Sequence, residues 1–385
     1  MFIISAIFVR QVSKHKNRNM MKNVSLIICI LFLISDYTIY SQRKSHTEVT
    51  ISGDQFLING KLTYEKRYWN GYKIEGLLLN SRMVQGVFDD SNPETVNNWI
   101  YPDTKKWDAD RNTDEFVRNM QKWRSYGLLS FTINLQGGSP QGYSANQPWN
   151  SSAYNSDGSV RPEYLIRLKK ILNKADELGM VPILGLFYFG QDERIKDEKG
   201  VVFAVYSVID WLYSNNYRNI LIEIDNECNV NKYDHEILKP QRVHELIELV
   251  RKKEKDGYRF LTGTSYGGGF VPLSNVVKVS DFILIHGNGV TDPAKITLMV
   301  DKTRMVDGYT KKPILFNEDD HFNFDKEQNN FTSAIKSYAS WGFFDYRMKD
   351  ETFDEGYQSV PVDWGINSAR KKQFFNLVKD ISGSK

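Results

Sequence analysis

Short apolar runs alternate with amphipathic stretches along most of this chain. The runs fall at Met83–Phe88, Leu128–Leu135, Val181–Phe187, Ile220–Asp225, Arg259–Gly263, Asp281–His286, Pro313–Asn317 and Ser340–Asp345. Each has the length of a buried strand. Helical patterns lie between them. Thr113 to Tyr126 has Asp114 and Glu115 in its first turn and Gly127 just past its end, a start and a stop signal. Pro162 to Leu178 places Leu165, Leu168, Ile171, Leu172 and Ala175 on one face before Gly179, the spacing of a helix that buries one side. Val201 to Tyr213, Val243 to Lys253, Pro293 to Val306, Asp325 to Tyr338 and Ser368 to Ile381 follow, while Val271 to Lys278 has room for only a turn or two. Ahead of them all, Val49 to Tyr64 alternates around Asn59-Gly60, the signature of a β-hairpin.

Eight strand–helix units predict an α/β fold: a (β/α)8 TIM barrel with an N-terminal β-hairpin. About 250 residues is typical of such a barrel. An open doubly wound sheet is the competing arrangement, but no glycine-rich phosphate fingerprint follows the first run. The expected organisation is a leader over 1–41, a hairpin and lead-in over 42–82, and one barrel over 83–385.

The leader changes the charge balance. Met21-Lys22-Asn23 precedes the apolar run Val24 to Ile34, and small and polar residues follow to Ser41-Gln42. This is the layout of a secretory signal, preceded by an upstream extension over Met1 to Asn19. The apolar run is shorter than the ~20 residues a membrane span needs. A retained anchor is the alternative. The expected location is secreted or periplasmic, free of the membrane after cleavage. The segment before residue 42 holds five of the 50 basic residues and one of the 47 acidic ones, which leaves 45 against 46. No basic excess points to a nucleic-acid partner. Only Cys228 of the two cysteines remains beyond the leader, so the core must hold without an internal disulfide. Nothing in the sequence fixes an oligomeric state.

Two of the predicted strands run into Asn-Glu pairs: Asn226-Glu227 after Ile220–Asp225, and Asn317-Glu318 after Pro313–Phe316. A carboxyl at the tip of a buried strand is costly unless it is paired or does chemistry. In a barrel, working residues stand at the C-terminal ends of strands. Runs four and seven lie across the barrel mouth from one another. One carboxyl held protonated and one held ionised are what a retaining glycosidase needs.

The stretches "NILIEIDNE" and "KPILFNE" resemble the clan A glycoside hydrolases, in particular family five and its cellulase-like relatives. The likeness covers the barrel from about Met83 to Asp380 in strand order; the motif match is confined to runs four and seven. The resemblance implies that Glu227 is the acid/base, Glu318 the nucleophile, and Asn226 a partner of the sugar 2-hydroxyl. It further implies that His286 orients a glutamate and that Trp341 floors the sugar subsite at the cleavage point. The family also carries an arginine near the end of strand two, a histidine after strand three, and a tyrosine two positions past His286. Here those places hold other residues, which marks a divergent branch and leaves the substrate open. Tyr266 is a candidate substitute for the missing tyrosine. Asn134, Gln136, Tyr188 and Gln191 are candidate sugar contacts, because amides donate and accept at once. Trp99, Trp107, Trp149, Tyr143 and Tyr154, on the loops after the first two runs, are candidate cleft walls.

The expected partner is a carbohydrate, cleaved by two glutamates without a cofactor. A catalytically inactive carbohydrate-binding barrel is the alternative. Asp319-Asp320-His321 invites a metal reading, but consecutive residues rarely converge on one ion, and no metal is expected.

Overall fold

The computed structural model describes residues 45–385. The predicted leader therefore lies outside the described residues. The chain opens with an antiparallel sheet of β1 (Val49–Ser52), β2 (Gln55–Ile58) and β3 (Lys61–Leu62), then a short ribbon of β4 (Tyr68–Trp69) and β5 (Tyr72–Lys73). Asn59 and Gly60 both have positive φ and turn β2 into β3, as Asn-Gly turns require.

The barrel strands are β6 (Asn80–Ser81), β7 (Ser130–Asn134), β8 (Val181–Tyr188), β9 (Leu221–Asn226), β10 (Leu261–Gly263), β11 (Ile283–His286), β12 (Ile314–Glu318) and β13 (Gly342–Phe343). All their pairings are parallel. Short bridges complete the ring: Arg82 with Thr132, Leu315 with Ser340, and Asp319 with Phe343. The Asp281 N–H donates to the Thr262 carbonyl at 3.0 Å where β10 meets β11.

Helices α1 (Ala109–Ser125), α2 (Pro162–Leu178), α3 (Glu198–Ser214), α4 (Val243–Arg251), α5 (Ser274–Val279), α6 (Pro293–Met305), α7 (Asn330–Lys336) and α8 (Ala369–Ser382) alternate with the strands. Their caps explain their limits. Asp108 accepts from the Arg111 N–H at 2.8 Å and starts α1 before the predicted Thr113. Asp197 does the same for α3 through Gly200. Asn329 and Thr332 form a capping box that starts α7 later than Asp325, each satisfying N–H groups left open at a helix start. Among the described residues, no helix is long and apolar enough to cross a membrane.

One predicted strand is misplaced. The first barrel strand is Asn80–Ser81, and Val84–Val87, within the predicted Met83–Phe88 run, is a 3-10 turn. Gly86 there lies so close to Phe116 that an added Cβ would sit 2.9 Å from its ring. The apolar run serves contact with α1, not sheet pairing.

Two apolar clusters divide the interior. Leu78, Val181, Ile183, Leu221, Leu284 and Leu315 fill the lower barrel, closed by Val49 and Phe56 of the hairpin. Each such side chain stabilises the fold by roughly 1.5–3 kcal/mol when buried. The larger cluster packs helices on the strands. Toward the strand C-termini the buried residues become polar: Arg82, Asn134, Glu223, Asn226, His286, Asn317 and Glu318.

Candidate active site

Local irregularities aim the two glutamates. The register of β11 against β12 shifts so that His286 pairs with Glu318 while Ile285 pairs with Phe316. Asn317 is thus the extra residue of a bulge, a device that re-aims side chains. Its Nδ2 turns to Glu223 Oε1 at 3.2 Å. Glu227, just past β9, has φ +55°, an uncommon left-handed conformation for a glutamate. Its N–H donates to Ser265 Oγ at 2.9 Å. Its carbonyl accepts from the Val230 N–H at 2.9 Å.

The carboxyls meet around His286. Its Nδ1 is 2.9 Å from Glu227 Oε1 and 3.5 Å from Glu318 Oε2. The Glu227 and Glu318 oxygens that face it lie within 4.8 Å of each other. Arg82 Nη1 forms an ion pair with Glu318 Oε2 at 2.8 Å. Asn288 Nδ2 donates to Glu318 Oε1 at 2.5 Å.

Burial raises the Glu318 pKa above the ordinary carboxylate value, with Arg82 and His286 acting against it. Burial favours neutral Glu227 too, but its bond to His286 leaves its pKa below the ordinary value. Burial disfavours the His286 imidazolium, and the two carboxylates outweigh it and raise its pKa. Arg82 stays charged. With Arg82 charged, a single proton held among Glu227, His286 and Glu318 would leave these four groups neutral. Groups this closely coupled titrate together.

The cleft above is about 460 Å3 and is lined by both glutamates, Tyr188, Phe189, Phe344, Tyr143 and Lys232, among others. That falls within the ~300–1,000 Å3 of small-molecule sites. Tyr143 is exposed, packs edge-on to Phe344 and Tyr346 at 5.4 and 5.1 Å, and donates to Asp320 Oδ2 at 2.7 Å.

Several predicted residues converge here. Asn226 is buried with neither amide atom paired. His286 bridges the glutamates, and Tyr188 lines the cleft with its hydroxyl 3.0 Å from Ser139 Oγ. Asn134, at the end of β7, is buried against Gly185 of β8 with both amide atoms unpaired, and does not line the cleft.

Others do not converge. Trp341 is no floor. It is fully enclosed, stacks on Phe331 at 4.7 Å and donates to Asp319 Oδ2 at 2.9 Å. Gln136 is occupied: its Nε2 donates to Ser152 Oγ and the Gln191 carbonyl, and its Oε1 accepts from the Tyr188 N–H. Gln191 is tied to Ser151 and Trp149. Tyr266 sits beside Cys228, and Asn288 makes the contact to Glu318 for which Tyr266 was a candidate. Trp99, Trp149 and Tyr154 are buried, and Trp99 packs edge-on to Phe88 and Trp149. Trp107 is half-buried against Phe88. Arg82, just past β6, is the arginine that meets Glu318, and it was not among the predicted site residues. An arginine inside the apolar stretch from Leu77 to Val84 was the available signal.

Asp319, Asp320 and His321 do converge, their ligand-type atoms lying within 4.8 Å of one another. Yet all four carboxylate oxygens are engaged. Asp319 accepts from His321, Asn330 and Trp341. Asp320 accepts from Tyr143 and the Gly289 N–H. The donor set fits a clamp on the β12 loop better than an ion. Hydrogen bonds that His321 donates to Asp319 and Asp320 raise its pKa to about 10. The proton therefore binds the folded state more tightly. The resulting stability is complete below the unfolded value near pH 6.5 and disappears as pH rises through about 10. His321 is partly exposed, so screening reduces the effect. His321→Gln is expected to cost about 1–2 kcal/mol at pH 6 and close to nothing at pH 10. A pH-independent deficit in denaturant titrations would rule the clamp out.

No protein-family model matches the chain, and no curated protein does. Solved structures do share its fold. An endo-1,4-β-mannanase from Rhizomucor miehei superposes with a TM-score of 0.56 at 12% identity, over 88% of this chain and 100% of that one. A putative glycoside hydrolase from Bacteroides vulgatus gives 0.53 at 14%, over 85% of this chain and 59% of that one. A family 1 β-glucosidase from Thermotoga maritima gives 0.53 at 11%, over 80% and 99%. At these identities the likeness is one of fold: a TIM barrel of the kind glycoside hydrolases use.

Proposed function

We propose that this protein is an exported glycoside hydrolase that cleaves a poly- or oligosaccharide with retention of configuration. The separation of the two carboxyls carries the reading. Facing oxygens within 4.8 Å of each other agree with the short carboxyl separation, ~5–5.5 Å, that double displacement uses. Glu318, held by Arg82 and Asn288, attacks the anomeric carbon. Glu227 protonates the leaving oxygen, then activates the water that releases the sugar.

These roles need one proton in the cluster, held away from Glu318. On His286 Nδ1 it lies one hydrogen bond, 2.9 Å, from Glu227 Oε1. Transfer along that bond gives an acid at Glu227 and leaves Glu318 ionised against Arg82. The unpaired amide of Asn226 has donor and acceptor capacity for a sugar hydroxyl. Support for an inactive binding barrel rested on missing partners. Arg82 and Asn288 fill two of those contacts and weaken it.

A 2-deoxy-2-fluoroglycoside with a good leaving group tests the proposal. Its covalent adduct is expected on the peptide carrying Glu318, read by mass spectrometry. Turnover of a natural glycan with no adduct at Glu318 would remove that residue as nucleophile.

A further inference from the structure

Beside the catalytic cleft lies a second hollow of about 380 Å3, lined by Gly268, Asn288, Lys295, Leu298, Met299 and Lys302, with neighbouring residues. The two share a boundary. Asn288 bonds Glu318 and also lines the hollow. The Gly267–Gly269 turn forms the ridge: a Cβ on Gly267 would sit 3.5 Å from Glu227 Oε1, and one on Gly268 would sit 2.1 Å from the Asn288 carbonyl. A chain bound across the glutamates would reach α6 by passing over this ridge.

The walls of this hollow carry one sign of charge. Lys295 and Lys302 are its charged lining residues, and neither forms an ion pair with any described residue. They stand seven residues apart, so they share a helix face about 10 Å apart along the axis. The acids on α6 and at its start are engaged elsewhere: Asp292 caps the helix through the Ala294 N–H at 3.0 Å, and Asp301 faces Arg304 at 3.8 Å. Lys232, on the catalytic cleft, also lacks a carboxylate partner and donates to the Ala145 carbonyl at 3.0 Å. Among the described residues, the acids lining the two hollows are Glu227 and Glu318, already matched by Arg82 and His286. Asp320, which accepts from Tyr143 of the cleft and from the Gly289 N–H of the hollow, is matched by His321. Leu298, half exposed between the lysines, offers the apolar surface that a sugar-ring face covers. Basic clefts free of counter-charge concentrate anions.

We infer that the substrate is an anionic glycan, with a carboxylate or sulfate group seated on Lys295 and Lys302 beyond the cleavage point. This rests on the glycosidase reading and adds the substrate class. Recognition by exposed ammonium groups is electrostatic and falls with salt.

A polysaccharide array sorted into neutral, carboxylated and sulfated sets tests it, probed with the Glu318→Gln protein to keep ligands intact. Binding is expected in one of the two charged sets. It should weaken roughly tenfold in the added Lys295→Ala/Lys302→Ala variant, and comparably in 0.5 M salt. Unchanged melting temperature shows that the variant folds. Binding to neutral glycans alone, charged-set binding indifferent to the lysines, or no binding in any set each overturns the inference. The catalytic reading is judged separately by reducing ends released by the unmodified protein. Neutral glycans cut through a Glu318 adduct would sink only the anionic subsite. Charged glycans bound through the lysines but never cut would sink only the hydrolase.

Discussion

Glu318→Ala is expected to abolish turnover, by on the order of 10⁴-fold or more, as removing a nucleophile does. Glu227→Gln should behave differently. A glycosidic oxygen that leaves easily needs no proton, so an activated aryl glycoside still forms the intermediate. Water then lacks its base, and the second step stalls. The loss should be about 10²–10⁴-fold on natural glycans and smaller on the activated substrate, with a burst of released phenol. Azide, which needs no deprotonation, should restore turnover and give a glycosyl azide of retained configuration. In Glu318→Ala, azide can enter only the space left by the nucleophile and would give the inverted product. The product stereochemistry thus separates the roles of two residues that are only within 4.8 Å of each other. Identical azide behaviour in both variants would overturn the assignment.

The sequence carried the glutamates because their signal is local: a carboxyl directly after a buried strand, behind an asparagine. Seven of the eight barrel strands were legible for a related reason, since buried parallel strands are continuous apolar runs. The first was not. Asn80 and Ser81 are polar and pair over only two residues, so the nearby apolar run at Met83 drew the prediction. Arg82 was lost with it, as its role depends on Glu318, a residue far away in sequence that β12 brings beside β6. Asn288 was passed over because a tyrosine was sought at its position, although an amide nitrogen can meet the same carboxylate. Trp341 shows the converse. Its place beside β13 was legible, but its depth was not. Whether an aromatic floors a cleft or fills a core depends on what covers it, here Phe331, Phe343 and Phe374.

Arg82→Met is expected to be the most damaging change away from the glutamates, and its damage should depend on pH. The side chain is buried and its guanidinium faces Glu318 at 2.8 Å. Removing one member of a buried pair costs about 3–5 kcal/mol, because the other charge is left uncompensated. Glu318 can escape that penalty only by taking up a proton. Its pKa, already raised by burial, should rise further in the variant. A carboxyl with a raised folded-state pKa binds protons more tightly when folded, so stability is best retained at low pH and falls as pH rises through that value. The deficit relative to the unmodified protein should therefore be small near pH 5 and approach its full size by pH 8. Activity should move the opposite way: a protonated Glu318 cannot attack, so the acidic limb of the kcat/KM profile should shift upward. Arg82→Lys retains the charge but not the planar fork and should recover part of both. Denaturant titrations and rate profiles at matched pH values measure the two trends. Equal stability at pH 8 with an unmoved acidic limb would mean that Arg82 does not hold Glu318 ionised.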